Sequence, residues 1–188
     1  MATTTQPAGR SATDPLRPFV PRLAVDWLRT TPDERHRAFP GTLVFAEVAG
    51  VLDAAFAELV AAAYDYDADL LKWGGDAILL LFRGDDHAVR AAAGAWSMQR
   101  ALAGMRRLST SAGPIRVQMS IGAHAGVFHC FLVGSVHREL VIAGADATTA
   151  VATEAIAGAG EIALSSAAAS ALDPDLLGAS RQGVVLLA

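Results

Sequence analysis

Residues 70–82, which read LLKWGGDAILLLF, decide the fold of this chain. Two apolar runs, 70–73 and 77–82, flank a pair of glycines and Asp76. Because glycine adopts the positive φ angles that a tight hairpin turn requires, the pattern predicts two antiparallel strands joined at this turn. An aspartate at such a turn can hold a metal ion at the edge of a sheet. A plain hairpin with a solvated acid fits the same thirteen residues equally well, because a Gly-Gly-Asp triplet is a weak motif by itself.

The composition indicates one soluble domain with enough chain to bury a core. The chain has 188 residues and a net charge of −4, and its apolar runs are far shorter than the roughly eighteen residues that span a membrane. The N-terminus lacks the basic start and apolar core of a secretory signal. The single cysteine, Cys130, excludes an internal disulfide and fits a cytoplasmic location. Mild acidity without a Lys/Arg cluster argues against nucleic acid as a partner.

Three segments of different composition divide the chain. Residues 1–21 are small, polar and proline-bearing, which predicts a disordered arm. Residues 22–40 predict a short helical lead-in, with an amphipathic helix over 22–29. A second helix start is predicted at residues 31–34, because Thr-Pro-Asp-Glu combines an early proline with acids in the first turn. Residues 41–188 form the main domain, whose last apolar strand either closes the domain or marks a truncation.

The main domain alternates between helices and hairpin-linked strands. This order predicts an α+β fold with a mainly antiparallel sheet and helices on its outer face. In the longest helix, a face that contains Val89 and Trp96 is predicted to be buried, with Asp86 as the N-cap. Strands are predicted at residues 42–48, 70–73, 77–82, 115–123, 127–133, 138–142, 161–164 and 184–188. Helices are predicted at residues 51–64, 87–106, 145–157 and, after Ser165, up to Leu172.

Several motifs stand in one order along the chain. They are FAEVAG at 45–50, the hairpin at 70–82, DHAVRAAAGAWSMQRAL at 86–102, MSIGAHAGVF at 119–128, VGSVHRELVIAG at 133–144 and AGEIALS at 159–165. Their content and order resemble the catalytic domain of class III adenylate and guanylate cyclases, most closely the first cyclase-like half of soluble adenylyl cyclase-type proteins. The resemblance covers residues 41–172. It implies a ferredoxin-like, βαββαβ-type cyclase fold. It also implies an enzyme that converts ATP to cyclic AMP and pyrophosphate.

The resemblance implies a two-ion site for Mg²⁺ or Mn²⁺ that is held by two carboxylates. Asp76 matches one of them, and Glu47 stands where the family usually has aspartate. The ions clamp the triphosphate and activate the ribose 3′-hydroxyl, as in other two-metal phosphoryl transfers. The extra methylene of glutamate displaces the carboxylate by ~1.5 Å, which weakens a site for Mg²⁺ because this ion demands near-octahedral geometry. The family's phosphate-binding Phe-Thr turn is missing after Gly50.

In the family, a partner domain supplies the other half of the active site. Lys72 matches the lysine that recognises adenine. An equally good interpretation is that its alkyl chain covers the sheet while its ammonium group reaches water. Val141 stands where an Asp or Thr would complete adenine recognition. Thr148 replaces an asparagine that positions the ribose, and Ala152 replaces an arginine that stabilises charge on the phosphate. The resemblance therefore implies little or no catalysis by symmetric pairing, and a complementary cyclase half or a homodimer as the partner.

The histidines and the cysteine are predicted to be structural. His124 and His129 are five residues apart in a strand, so they point to opposite faces and do not form one metal site. His137 and Glu139 lie in the HREL motif, which the resemblance assigns to the sheet and the dimer interface. Cys130 lies in an apolar strand and is predicted to be a small buried side chain rather than a nucleophile.

Three functional hypotheses remain, and whether the chain is an active enzyme stays open among them. The first is one half of a dimeric site that makes cyclic AMP from ATP. The second is a catalytically dead cyclase-homology domain that dimerises or binds nucleotide as a regulatory module. The third is a diguanylate cyclase-like enzyme, since the segments WGGDAILLLF and MSIGAHAG also resemble that related family. Ala77 and Ile78 replace the Glu-Phe that follows its Gly-Gly-Asp motif, so this hypothesis ranks last.

Overall fold

The computed structural model describes residues 20–49, 53–105, 108–110, 113–115, 117–135 and 137–188. Nearly all of the predicted N-terminal arm, residues 1–21, lies outside this part of the chain. The predicted loss of the phosphate-binding turn falls on residues 50–52, which also lie outside it. Within the described residues, no helix is both long and apolar enough to cross a membrane.

Five α-helices and ten strands are described. The helices are α1 (Arg22–Thr30), α2 (Asp53–Tyr64), α3 (His87–Gly104), α4 (Ala145–Glu154) and α5 (Ser166–Ala169), and a 3₁₀ turn spans Pro174–Leu176. The strands are β1 (His36–Ala49), β2 (Asp69–Gly74), β3 (Ala77–Arg83), β4 (Leu108–Thr110), β5 (Gly113–Ile115), β6 (Gln118–Val133), β7 (Glu139–Ala143), β8 (Ile162–Ser165), β9 (Leu177–Arg181) and β10 (Val184–Leu187).

One large sheet forms the centre of the domain. Its strand order is β2-β3-β1-β6-β8-β10-β9, with β7 paired to β6 beside the main path. All of its pairings are antiparallel except that of β6 with β8. The longest ladder joins β1 to β6, from His36 opposite Phe131 to Ala49 opposite Gln118. The predicted α+β fold with a mainly antiparallel sheet is therefore confirmed.

Side chains alternate between the two faces of the sheet, and each face buries its own core. One core packs α2, α3 and α5 against the sheet and includes Val44, Leu80, Ile121, Leu59, Ala95 and Ala168. The other packs α1 and α4 against the opposite face and includes Leu43, Leu81, Phe128, Trp27 and Ala150. The expectation that helices lie on one face is thus corrected, because α1 and α4 cover the second face.

The buried face of α3 differs from the predicted one. Trp96 is 46% exposed and Val89 is 43% exposed. The buried side chains are instead small or flexible: Ala88, Ala91, Ala92, Ala95, Met98 and Leu102. A Cβ on Gly94 would come within 3.0 Å of the Phe82 ring, so the helix approaches the sheet too closely for a tryptophan. Close approach, rather than residue hydrophobicity, selects the buried face.

Several predicted boundaries change for local reasons. Residues 31–34 do not start a helix, because α1 ends at Thr30 and Thr31 has an extended φ of −143° before Pro32. The strands predicted at residues 115–123 and 127–133 are joined from Gln118 to Val133 in one strand, β6, while Ile115 ends β5. Asp86 adopts a left-handed φ of 54° and makes no side-chain cap. Ser165 does cap α5, since its hydroxyl accepts a 3.2 Å hydrogen bond from the Ala168 amide, but α5 ends at Ala169.

The lead-in helix α1 is fixed to the edge of the sheet by a buried carboxylate. Asp69 is 3% exposed and accepts hydrogen bonds from Arg22 at 3.2 Å and from Arg83 at 2.9 Å. A second Arg22 nitrogen donates to the carbonyl of Ala68. Two guanidinium partners compensate for the desolvation of this carboxylate. Helix α1 is therefore packed on the domain, and His36–Pro40 belong to β1 itself.

Candidate functional site

The β2–β3 hairpin and β1 bring two acids to the edge of the sheet that is formed by the ends of these strands. Gly75 and Asp76 form the turn, with Gly74 opposite Ala77 and a positive φ of 67° at Gly75. Glu47 on β1 is the register partner of Ala77, so it lies beside the residue that follows Asp76. Paired Cα atoms in an antiparallel ladder are about 4.5–5.5 Å apart. The carboxylates of Glu47 and Asp76 are both solvent-exposed.

The donor chemistry of this edge fits a divalent cation. Carboxylate oxygens are the ligands that Mg²⁺ and Mn²⁺ prefer in proteins. Neither Glu47 nor Asp76 makes a salt bridge with a residue that the structure describes. No cluster of three or more His, Cys, Asp or Glu side chains in the same part of the chain is arranged to hold a metal. Two carboxylates alone would supply only part of a coordination sphere, so water or phosphate oxygens would have to complete it.

Lys72 is held by an acid on β7. Lys72 lies just after a register shift in β2, and its ammonium donates a hydrogen bond to the Glu139 carboxylate. Both side chains are about half exposed, and the hydrogen bond from Lys72 is the main reason that the pKa of Glu139 lies below its usual value. Val141 lies two residues further along β7 and is also exposed. The sequence placed Glu139 in an interface motif and missed this contact.

The exposed face of α4 carries the other two predicted positions. Thr148 and Ala152 are one turn apart, so they lie on the same side of the helix, and both are exposed. The Thr148 hydroxyl donates a 3.3 Å hydrogen bond to the carbonyl of Gly144 in its own helix. Ala152 has no polar side-chain atom. This face therefore presents neither an amide nor a guanidinium at these two positions.

The sequence model of the adenylate and guanylate cyclase catalytic domain matches residues 45–187 of this chain. The chain belongs to this family. The predicted class III nucleotide cyclase domain is thereby confirmed. A comparison of this chain with curated proteins finds no significant match.

Solved cyclase structures share its fold at low sequence identity. The guanylyl cyclase Cya2 is 21% identical with a TM-score of 0.68, over 82% of this chain and 92% of that one. The guanylate cyclase domain of RhGC from Catenaria anguillulae, in complex with GTP, is 17% identical with a TM-score of 0.67, over 80% and 95%. The adenylyl cyclase CyaB from P. aeruginosa is 20% identical with a TM-score of 0.67, over 81% and 94%. Identities this low support the fold alone.

A third carboxylate lies behind Glu47 in the cyclase domain. Glu154, the last residue of α4, is 7% exposed, and its carboxylate accepts a 2.5 Å hydrogen bond from Ser120, the β6 register partner of Glu47. Burial raises the pKa of Glu154, the Ser120 hydrogen bond lowers it, and the charge of Glu47 raises it further. A Cβ on Gly122 would overlap the backbone of Glu154. The sequence analysis did not single out Glu154. The one sequence feature that relates to its position is Gly122, which has no side chain where the Glu154 backbone lies.

Two histidines of the cyclase domain, His124 and His129, contact side chains of neighbouring elements. His124 is buried; it shares a 2.8 Å hydrogen bond with Ser165 and a 3.3 Å contact with Asp146. The Val127 amide, and then His124, lower the pKa of Asp146. His129 stacks on His36. This network ties β6 to the start of α4 and the start of α5.

Cys130 is also buried as predicted. It is completely inaccessible to solvent, and burial raises its pKa to about 11. Because the thiolate is the reactive form of cysteine, the thiol is inert at neutral pH.

Proposed function

We propose that this cyclase domain supplies the metal-holding half of a shared site that converts ATP to cyclic AMP and pyrophosphate, with little or no activity on its own. One observation carries the proposal. Glu47 and Asp76 lie together at an exposed sheet edge, while the face of α4 presents Thr148 and Ala152 instead of an amide and a guanidinium. In this proposal the metal-holding half of a cyclase site is retained, and the half that contacts the ribose and the phosphate is lost.

Glu47 and Asp76 are the residues that would hold the divalent cations. When bound, such ions neutralise charge on the triphosphate and assist both the attacking and the leaving oxygen. The protein's own contribution is to place the Asp76 turn beside Glu47, through the pairing of β1 with β3. The longer side chain of Glu47 and the Ser120–Glu154 hydrogen bond behind its strand distinguish this edge from a pair of aspartates. We expect Mn²⁺ to suffer less than Mg²⁺ from the altered ligand length, because Mg²⁺ demands near-ideal octahedral geometry.

ATP is the proposed substrate because of Lys72. A lysine ammonium is a donor only, and the N1 atom of adenine is an acceptor, so the two are complementary. In the free chain Lys72 is bonded to Glu139, and Val141 offers no polar group to the base. Exposed ion pairs contribute little free energy, so a nucleotide can displace or join this one. Among the structural neighbours, one complex contains GTP and another cyclase structure contains ATPαS.

A complementary cyclase half is the proposed partner. A symmetric homodimer would bring Thr148 and Ala152 to each shared site, and loss of one transition-state donor typically lowers a rate by about 10²–10³. A partner with a complete second half would restore those groups opposite Glu47 and Asp76. Assembly in the cytoplasm remains an expectation from the composition.

A regulatory module without turnover is the second candidate. The observations that favour it are the missing polar groups on α4 and the Lys72–Glu139 pair, which occupies the base-reading lysine. Such a domain would bind a partner or a nucleotide and never complete the reaction. The family match to adenylate and guanylate cyclases ranks both candidates above a diguanylate cyclase.

An assay of cyclic AMP formation from Mn²⁺ and ATP tests the proposal. The purified chain is measured alone and mixed with a cyclase half that has the adenine-reading, asparagine and arginine groups. We expect activity only in the mixture, and we expect Asp76→Ala to lower it by at least about 10² because one of two carboxylate ligands is removed. Asp85→Ala, an exposed acid in the turn after β3, is the matched control and should leave the rate unchanged.

The outcomes separate the two candidates. If the chain alone formed cyclic AMP and Asp76→Ala abolished this activity, the residues on the exposed face of α4 would not limit the rate. An inert mixture would contradict the half-site proposal and favour the regulatory module. A calorimetric titration with a non-hydrolysable ATP analogue then distinguishes a nucleotide-binding module from a scaffold that binds none.

A further inference from the structure

An aromatic groove runs along the outer edge of the sheet, between α2 and the edge strand β2. Its volume is about 620 Å³, and its lining includes Phe56, Val60, Tyr64, Leu70, Trp73 and Gly75. Phe56 and Trp73 meet edge to face, with ring centroids 4.6 Å apart. Trp73 is 43% exposed and Tyr64 is 37% exposed. Large aromatic side chains left open beside one another are typical of a surface that binds something.

The described chain begins at one end of this groove. Val20 and Pro21 line a smaller adjoining pocket together with Tyr64, Leu70 and Trp73, three residues that also line the groove. The two depressions are therefore continuous. Val20 is 38% exposed, and the residue before it, Phe19, is apolar. The segment that precedes Val20 is thus attached to the chain next to the groove.

The sequence of that segment suits an aromatic groove. Residues 15–21 read PLRPFVP, with prolines at positions 15, 18 and 21. A polyproline II helix has three residues per turn, so this spacing places the three prolines on one side of such a helix. Pro21 already has polyproline II angles, with φ −52° and ψ 133°. Proline-rich segments with this period bind aromatic-lined grooves because their extended conformation costs little entropy to fix.

The lengths also agree. The groove wall on α2 extends from Tyr64 to Phe56, which is about 12 Å at 1.5 Å per residue. From Val20 back to Leu16, a polyproline II segment rises about 12 Å at 3.1 Å per residue. Leu16 would then lie at the Phe56 end, between Ala57 of α2 and Trp73 of β2.

We propose that residues 15–19 of this chain bind in the groove between α2 and β2 as a polyproline II segment. The occupied groove shares Trp73 and Gly75 with the hairpin that carries Lys72 and Asp76. The segment before the domain is thereby connected to the hairpin turn that is proposed to hold the metal. The inference concerns an interaction surface and is independent of whether the domain makes cyclic AMP.

Disulfide cross-linking of the full chain tests the proposal. In the Leu16→Cys/Ala57→Cys variant the two thiols lie at the same end of the proposed complex. The matched control is Leu16→Cys/Asp26→Cys, whose second thiol is on the exposed side of α1, about 9 Å from Val20 along the helix and within reach of an unbound segment. Native Cys130 is buried with a pKa raised to about 11, so it does not interfere.

We expect the intrachain disulfide of the Ala57 variant to form at least about tenfold faster than that of the control, since binding raises the effective concentration of one pair over the other. Adding Pro15→Ala and Pro18→Ala should remove most of this difference while thermal unfolding stays cooperative. Equal rates for the two pairs would overturn the proposal. So would a disulfide-linked dimer whose yield rises with protein concentration, because the groove would then bind a second copy.

Discussion

The two regions expected to form a cyclase site share one sheet but differ in what they retain. The sheet edge keeps two exposed acids, Glu47 on β1 and Asp76 in the turn before the adjacent strand β3. The exposed face of α4 keeps its helix and its position but carries Thr148 and Ala152. The buried side of α4 meanwhile contributes Ala150 to the core. In the proposed half-site, α4 is therefore intact on its buried face, while its exposed face lacks the amide and the guanidinium that the family resemblance implies.

Restoring the missing groups on α4 is the strongest test of this comparison. The Thr148→Asn/Ala152→Arg variant should gain Mn²⁺-dependent cyclic AMP formation by itself, by roughly 10²-fold, because each shared site of a homodimer regains its transition-state groups. Cyclic AMP is measured under conditions where the unmodified chain is at background. Thr149→Asn/Val151→Arg, at exposed neighbouring positions, is the control. No gain would mean that the edge with Glu47 and Asp76 is itself defective.

The attachment of α4 to the sheet gives the next largest effect. A Cβ on Gly122 would overlap the backbone of Glu154, so Gly122→Ala should lower the free energy of unfolding by about 1–3 kcal/mol through overpacking. Denaturant unfolding followed by circular dichroism measures the loss. Gly104→Ala, where nothing lies within 4 Å of the added carbon, should leave stability unchanged or slightly higher. Equal behaviour of both variants would contradict a close fit between α4 and β6.

The smallest expected effect concerns the pH dependence of Glu154. Its pKa is raised in the folded chain, chiefly by burial and further by Glu47, so the folded state holds its proton more tightly than the unfolded state does. Above the ordinary glutamate pKa of about 4.3 the unfolded chain releases this proton first, and stability falls with rising pH until the raised pKa is passed. Glu154→Gln keeps an acceptor for Ser120 and removes this loss.

The free energy of unfolding of Glu154→Gln, compared with that of the unmodified chain, should therefore increase with pH across this window. Chemical denaturation at a series of pH values measures the difference. Glu58→Gln, at an exposed position on α2, is measured in parallel as the matched substitution. A constant difference across the pH range would mean that Glu154 has the same proton affinity in both states.

The sequence predicted what depends on local pattern. The hairpin at residues 70–82 was recognisable because two glycines separate two apolar runs, and the structure has it as β2 and β3. The short amphipathic helix after Pro21 was recognisable by its period and packs Leu23 and Trp27 as expected. The pairing of Glu47 with Asp76 was implied by the resemblance to the cyclase family, and β1 does pair with β3 beside them.

What the sequence missed depends on distances between elements. Trp96 was assigned to the core by hydrophobicity, but α3 lies close to Phe82 at Gly94, and the side chains that it buries are alanines, Met98 and Leu102. The contact of Lys72 with Glu139 joins residues 67 positions apart, and the buried position of Glu154 depends on how α4 crosses β6. No periodicity within one element carries that information.

The unequal anchoring of the two acids has a consequence for local opening of the chain. Glu47 belongs to β1, which is hydrogen-bonded on both sides, to β3 and along its whole length to β6. Asp76 belongs to the turn of an edge hairpin. Amides in a central strand exchange with solvent only in large unfolding events, whereas those at a hairpin tip exchange through small, frequent ones. A cation shared by both carboxylates would join the most protected strand to one of the least protected turns, and slower amide exchange around Gly75 would be its most direct signature.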